Sequence, residues 1–261
     1  MILLVQLGGA VRLTEITAEH GPVAATRARA ALSALLAWGM REGLTRDNAV
    51  IGTNRPAEAR SRDRVLALGE LAEIWKACRD DDYGRIVRLL ILTGQRRDEV
   101  GAMTWSEFDF ERAVWRIPGD RTKNKRLHTI TLAPPAMSII EKAERRIGND
   151  RIFGRGADGF GGWSKAKAAL DRRIFDARRL ADNAEPMAPW TVHDIRRSVA
   201  THMAELGVLP HVIEAVLNHV SGHKAGIAGV YNRSGYEREV RAALALWADH
   251  LRSLVEGGER R

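Results

Sequence analysis

Apolar positions recur at helical spacing over most of this chain. Ala28, Ala31, Leu32, Leu35, Leu36 and Trp38 form one stripe and predict a helix over residues 24–43, with Gly43 suited to its stop. Residues 45–64 carry Asn, Gly, Pro and many charges without apolar periodicity, which reads as a linker with a domain boundary near Arg60. Beyond it the pattern predicts helices over residues 68–77, 84–93 and 96–103. Phe108, Phe110, Val114, Trp115 and Ile117 then fall in short β-prone runs around Glu111-Arg112, a hairpin pattern, and residues 127–132 read as a third strand after the basic turn 121–126. Pro134-Pro135 opens a helix expected to run to Ile147, with Ile139, Ile140, Ala143 and Ile147 on one side. Further helices are predicted over residues 162–180, 193–206, 210–217 and 235–254. The expected fold class is mainly α with a small antiparallel β-sheet, in the α+β sense.

Composition sharpens this picture in two ways. The 261 residues include 41 Lys and Arg against 33 Asp and Glu, a formal charge of +8 that favours a polyanionic partner. Cys78 is the single cysteine, so neither an intrachain disulfide nor a multi-cysteine zinc site can form, in keeping with a reducing, cytoplasmic compartment. The opening MILLVQLGGAV lacks the basic start of a secretion signal, and no apolar run approaches the ~20 residues of a membrane span, so no membrane partner is expected.

Four fragments carry candidate chemistry. In Leu92-Thr93-Gly94-Gln95-Arg96-Arg97-Asp98-Glu99, Gly94 frees the backbone between two helices and Arg96 stands where the second begins. An arginine there can fork two hydrogen bonds onto a phosphate while Glu99, three residues on, holds it. His193 and Arg196 share a helix face at i, i+3, with Thr191 or Asp194 as cap. His219 closes the helix begun by Pro210, where it can donate to an oxyanion. Tyr231 follows in Val230-Tyr231-Asn232-Arg233. Taken singly, such fragments are more often a surface ion pair, a satisfied histidine or a core tyrosine.

Taken in order, they resemble the signature of the tyrosine recombinases, the phage-integrase family: T-G-x-R-x-x-E, a lysine in a β-turn, H-x-x-R, a later His and a terminal Tyr. Arg62-Asp63-Arg64-Val65-Leu66, Trp105-Ser106-Glu107-Phe108-Asp109, Arg121-Thr122-Lys123-Asn124 with His128, and Tyr231-Asn232-Arg233 followed by Trp247-Ala248 resemble its prophage and genomic-island branch. The resemblance covers roughly residues 62–254 and implies the DNA breaking-rejoining catalytic fold over residues 61–261. Residues 1–60 are then expected to be a truncated core-binding remnant and linker, of which residues 13–50 look like the tail of such a module.

The same resemblance implies an enzyme that cuts and rejoins double-stranded DNA through a 3′-phosphotyrosine, without metal, ATP or other cofactor. Tyr231 would be the nucleophile. Arg96, Arg196 and His219 would bind the non-bridging phosphate oxygens, His193 would assist proton transfer, and Lys123 would protonate the departing 5′-oxygen. Glu99 would support Arg96, with Lys125, Arg126 and Arg197 as further DNA contacts. A monomer in solution assembling into a homotetramer on DNA, associated with a bacterial nucleoid in the cytoplasm, is the implied organisation. A DNA-binding remnant without strand transfer, and a type IB topoisomerase-like relaxing activity, remain open beside it. Rival assignments are weaker on the residues: His193, His202, His211, His219 and His223 lack the H-E-x-x-H spacing of a zinc site. Tyr236 is expected to pack the final helix, Cys78 to be buried, and His202 and His211 to be ordinary helix-surface residues.

Overall fold

The computed structural model describes residues 2–54, 63–181, 185–219 and 236–257. The chain divides into two compact units, Met1–Asp63 and Arg64–Arg261. In the first, α1 (Ile2–His20) and α2 (Pro22–Arg41) pack together, so a helix precedes the one that the apolar stripe predicts. Gly8-Gly9 interrupts the apolar spacing of α1 and hides it from a periodicity reading. Gly21, at φ 84, makes the break between the two, and Pro22 opens α2. Arg29 then holds the following loop by donating to the Val50 carbonyl at 3.0 Å.

The second unit is built around α4 (Asp82–Thr93), most of whose residues are buried, including Ile86, Leu89, Leu90 and Ile91. Packed on it are α6 (Pro134–Glu141), α8 (Val192–Glu205) and α10 (Glu237–Gly257), with α3 (Leu68–Ala77) bridging α10 and α7 (Trp163–Leu180). The last helix buries Val240, Ala243, Leu244, Trp247, Ala248 and Leu251, a stripe at the spacing of one helix face. Its Trp247 ring is fully buried and donates Nε1–H to the Ile91 carbonyl at 2.7 Å, so its one polar atom is satisfied inside the core.

A three-stranded antiparallel sheet in the order β1-β2-β3 sits between α5 (Arg97–Gly101) and α6 in the chain. It comprises β1 (Phe108–Asp109), β2 (Val114–Ile117) and β3 (His128–Thr131), with Ile117 opposite His128 in register. The expected fold class is the observed one. Two local expectations change. Helix α6 stops at Glu141, and Ile147 is fully exposed instead of joining the apolar side. Arg146 leaves the helical path because its guanidinium donates to both carboxylate oxygens of Asp82, each at 3.1 Å, and to the Gly154 carbonyl at 2.8 Å. His202 is buried, not on the surface. Its Nε2 donates to the Leu66 carbonyl at 2.8 Å, its Nδ1 lies 2.6 Å from Glu205, and its ring stacks near Trp247. Cys78 is buried and Tyr236 packs against the core, as expected.

Candidate active site

Helix α4 ends at Gly94, whose left-handed φ of 64° lets its N–H reach back to the Leu90 carbonyl at 2.9 Å. The next turn is a junction. Gln95 is buried and donates its amide to the carbonyls of Thr93 and Val216, at 2.9 and 2.7 Å, tying this turn to the end of α9 (Pro210–Val216). Arg96 is the N-cap of α5 in extended conformation, one residue before the helix that the sequence starts with it. Glu99, 3% exposed, accepts from the Arg96 backbone N–H at 3.2 Å and from its guanidinium at 2.9 Å. One buried carboxylate therefore fixes both the backbone and the head group of Arg96. A second Arg96 nitrogen lies 3.5 Å from the Asn218 carbonyl.

Arg196 reaches the same place from α8. Thr191 and Asp194 form a capping box there, the Asp194 carboxylate accepting from the Thr191 N–H at 2.8 Å and its hydroxyl at 2.9 Å. Arg196 is 8% exposed and donates to the Gly94 carbonyl at 2.8 Å and to the Leu217 carbonyl. Burial, and then the Arg96 charge, push its pKa down to about 10, which leaves it cationic at neutral pH. His193, one turn earlier, presents its ring to solvent while its inner side is desolvated. That desolvation and the charge of Arg196 lower its pKa below the ordinary histidine value, so the neutral imidazole dominates at neutral pH. Arg96 and His193 line one cleft of about 490 Å³ with Arg97, Trp163, Lys167 and Trp190.

Lys123 sits exposed on the turn between β2 and β3. Arg121 pairs with Glu107 and donates to the Glu99 carbonyl at 2.8 Å, while the Glu107 carboxylate also accepts Trp115 Nε1–H at 2.8 Å. Thr122 closes the turn internally by donating to the Arg126 carbonyl at 2.8 Å. Asn124 donates its amide to the Asn218 side-chain oxygen at 2.7 Å. His219 follows Asn218 and is exposed, and the two line a second cleft of about 240 Å³ with Asn124 and Arg126.

The structure thus brings Arg96, Glu99, Arg196 and His193 around one junction, while His219 lines the second cleft beside Asn218, to which the Lys123 turn is fastened. Lys125 and Arg126 are exposed on that turn. Arg197 is partly exposed, and its guanidinium pairs with buried Asp194 at 3.0 Å and supports the capping box. Tyr231 lies outside the described residues. Gln95, Arg121, Asn124 and Asn218 build the site although the sequence assigns them no role. They lie within or beside the quoted motifs, and the one signal for them is a buriable or turn-forming polar side chain at that position. Among the described residues, no group of three or more His, Cys, Asp or Glu is arranged to hold a metal, and no helix is long and apolar enough to cross a membrane.

Two arginines thus meet at one turn of a mainly helical unit that carries a small antiparallel sheet. The Phage integrase family profile matches residues 64–238, and the chain belongs to that family. Prophage integrase IntA of Escherichia coli (strain K12) is 29% identical over 167 residues, which cover 64% of this chain and 38% of that protein. The chain therefore spans well under half the length of that relative. Among solved structures, a lambda integrase (residues 75–356) dimer bound to a COC′ core site superposes with a TM-score of 0.59 at 20% identity, covering 83% of this chain and 79% of that one. A lambda integrase tetramer bound to a Holliday junction gives 0.58 at 20% identity, covering 83% and 64%. These likenesses establish the shared fold.

Proposed function

We propose that this chain cleaves and rejoins double-stranded DNA as a site-specific recombinase, through a 3′-phosphotyrosyl bond to Tyr231. The observation that carries the reading is the convergence of Arg96 and Arg196 on the backbone of Gly94, Leu217 and Asn218. A phosphodiester gains negative charge on its equatorial oxygens as a nucleophile adds. Two guanidinium groups already fixed by Glu99 and by backbone carbonyls stabilise that charge without reorganising at the moment of reaction. The Tyr231 hydroxyl attacks phosphorus, the bond to the 5′-oxygen breaks, and the leaving oxygen takes a proton from Lys123. Neutral His193 is suited to accept the proton of the tyrosine hydroxyl. The phosphotyrosine conserves the bond energy, so a 5′-hydroxyl can reverse the step without ATP. His219 adds a donor to the phosphate, and Lys125 and Arg126 contact the DNA backbone from the exposed turn. In this reading residues 61–261 are the catalytic domain, working as a tetramer on DNA. The lambda integrase complexes, one a dimer and one a tetramer on DNA, are consistent with that organisation.

The test is covalent capture on a nicked suicide duplex in EDTA and without ATP. We expect an adduct with the unaltered chain and with Tyr236→Phe, and none with Tyr231→Phe, which keeps the ring and loses only the attacking oxygen. An adduct with Tyr231→Phe but not with Tyr236→Phe overturns the assignment, and no adduct with any form overturns the proposed function.

A further inference from the structure

We infer that Asn124 and Asn218 form an amide latch that positions Lys123 over the arginine pair, so that Asn124 is a positioning residue for protonation of the leaving group. The inference rests on the strand-transfer reading above. Lys123 lies on an exposed turn, and an exposed lysine stem is among the most mobile side chains. A general acid has to stay within hydrogen-bond reach of one oxygen, so the turn itself must be held.

The turn is held at two points. At its start, Arg121 donates to the Glu99 carbonyl, which belongs to the residue gripping Arg96. Directly after Lys123, Asn124 donates to the Asn218 side-chain oxygen at 2.7 Å and lies 3.4 Å from the Asn218 carbonyl. In return the Asn218 amide lies 3.4 Å from Asn124 Oδ1, which also accepts the Arg126 backbone N–H at 3.2 Å. Both ends of the Asn124 amide are therefore occupied, and its rotamer is determined. The partner is equally constrained. Asn218 sits in the left-handed region at φ 49°, a conformation asparagine tolerates better than most side chains. Its N–H donates to the Ala215 carbonyl at 3.2 Å, which caps α9.

The latch also connects to the phosphate-binding groups. The Asn218 carbonyl faces the guanidinium of Arg96, Leu217 before it accepts from Arg196, and His219 after it is a candidate phosphate donor. A single contact between side chains 94 residues apart in sequence thus places the lysine turn on the peptide that also orients both arginines. Loss of the latch leaves Lys123 present and charged but spread over many positions. The arginines keep their own anchors in Glu99 and Gly94.

Single-turnover cleavage by the full 261-residue chain tests this, using suicide duplexes with either the natural bridging 5′-oxygen or sulfur in its place. A thiolate of pKa ~8.5 departs with little need of an acid. We expect Asn124→Ala to slow cleavage of the oxygen substrate by about 10- to 100-fold, a part of the roughly 10²- to 10⁴-fold that general acid–base catalysis contributes, with DNA affinity unchanged. On the sulfur substrate it should come within a few-fold of the unaltered chain, as should Lys123→Ala. Asn218→Gly, which removes the partner amide and accepts φ 49°, should behave like Asn124→Ala and add nothing to it in the double variant. Equal losses on both substrates, or no loss on either, overturn the latch. If sulfur rescues Lys123→Ala but not Asn124→Ala, the latch fails while the strand-transfer reading stands. If the unaltered chain cleaves neither substrate, that reading fails and the latch with it.

Discussion

Arg196 donates to the carbonyl oxygen of Gly94 at 2.8 Å, joining helix α8 to a turn 102 residues earlier in the chain. The contact uses one guanidinium nitrogen, and a second nitrogen reaches Leu217, so a single buried side chain staples three segments together. A forked head group can do this, and the point charge of a lysine cannot.

The first expectation follows from that fork. Arg196→Lys keeps a positive charge but cannot span Gly94 and Leu217 together. Covalent adduct formation should fall by at least about 100-fold, as it does when one preorganised oxyanion donor is lost. Chemical denaturation should show about 1–2 kcal/mol less stability, for a carbonyl left without its donor. An unchanged cleavage rate would place Arg196 outside the phosphate site.

Gly94 tests the same junction through the backbone. A Cβ there would sit 2.9 Å from Leu217 Cδ2 and 3.1 Å from Val199 Cγ1, at a φ of 64° that side chains rarely adopt. Gly94→Ala should cost about 1–3 kcal/mol in denaturant unfolding, and cleavage should suffer because Leu217 must move. A variant as stable as the original would show that this turn is free to adopt another path.

His193 makes stability depend on pH with a definite sign. Its pKa is lowered in the folded protein, first by desolvation and then by Arg196 and Arg197, with Asp194 opposing. The unfolded chain therefore binds the proton more readily. This group costs no stability above the ordinary value of 6.5, and its penalty grows as pH falls through the lowered pKa. Denaturation midpoints at about pH 7.5 and about pH 5 should show the unaltered chain losing more stability on acidification than His193→Gln. The difference should be small because the ring faces solvent, and a difference of opposite sign would refute the lowered pKa.

His202 should matter to folding and not to chemistry. His202→Ala removes a buried ring near Trp247 and leaves the Leu66 carbonyl without its donor, for a loss of about 2–3 kcal/mol in denaturant unfolding. Adduct yield per folded molecule, measured well below the unfolding transition, should be retained. A specific loss of cleavage in fully folded protein would assign His202 to the site.

What the sequence by itself determined is local. The i, i+3 spacing of His193 and Arg196 puts them on one helix turn, Asp194 three residues after Thr191 supplies the capping box, and Glu99 three residues after Arg96 holds its head group. These relations involve neighbours along a helix, and helix geometry is the same in any fold. The apolar periodicity carried the fold class, and the family signature added the order of the motifs. Only the tertiary structure decided which groups meet across the chain. Arg196 at Gly94, Gln95 at Val216 and Asn124 at Asn218 are contacts across 102, 121 and 94 residues, which no spacing rule foretells. The same holds where local pattern failed. His202 reads as a helix-surface residue until Leu66 and Trp247 close over it, and the helix expected to reach Ile147 ends early because Arg146 is drawn to Asp82. In both places a polar side chain satisfied by a distant partner overrides local periodicity, because a buried charge or carbonyl left unpaired costs more than a helix turn contributes.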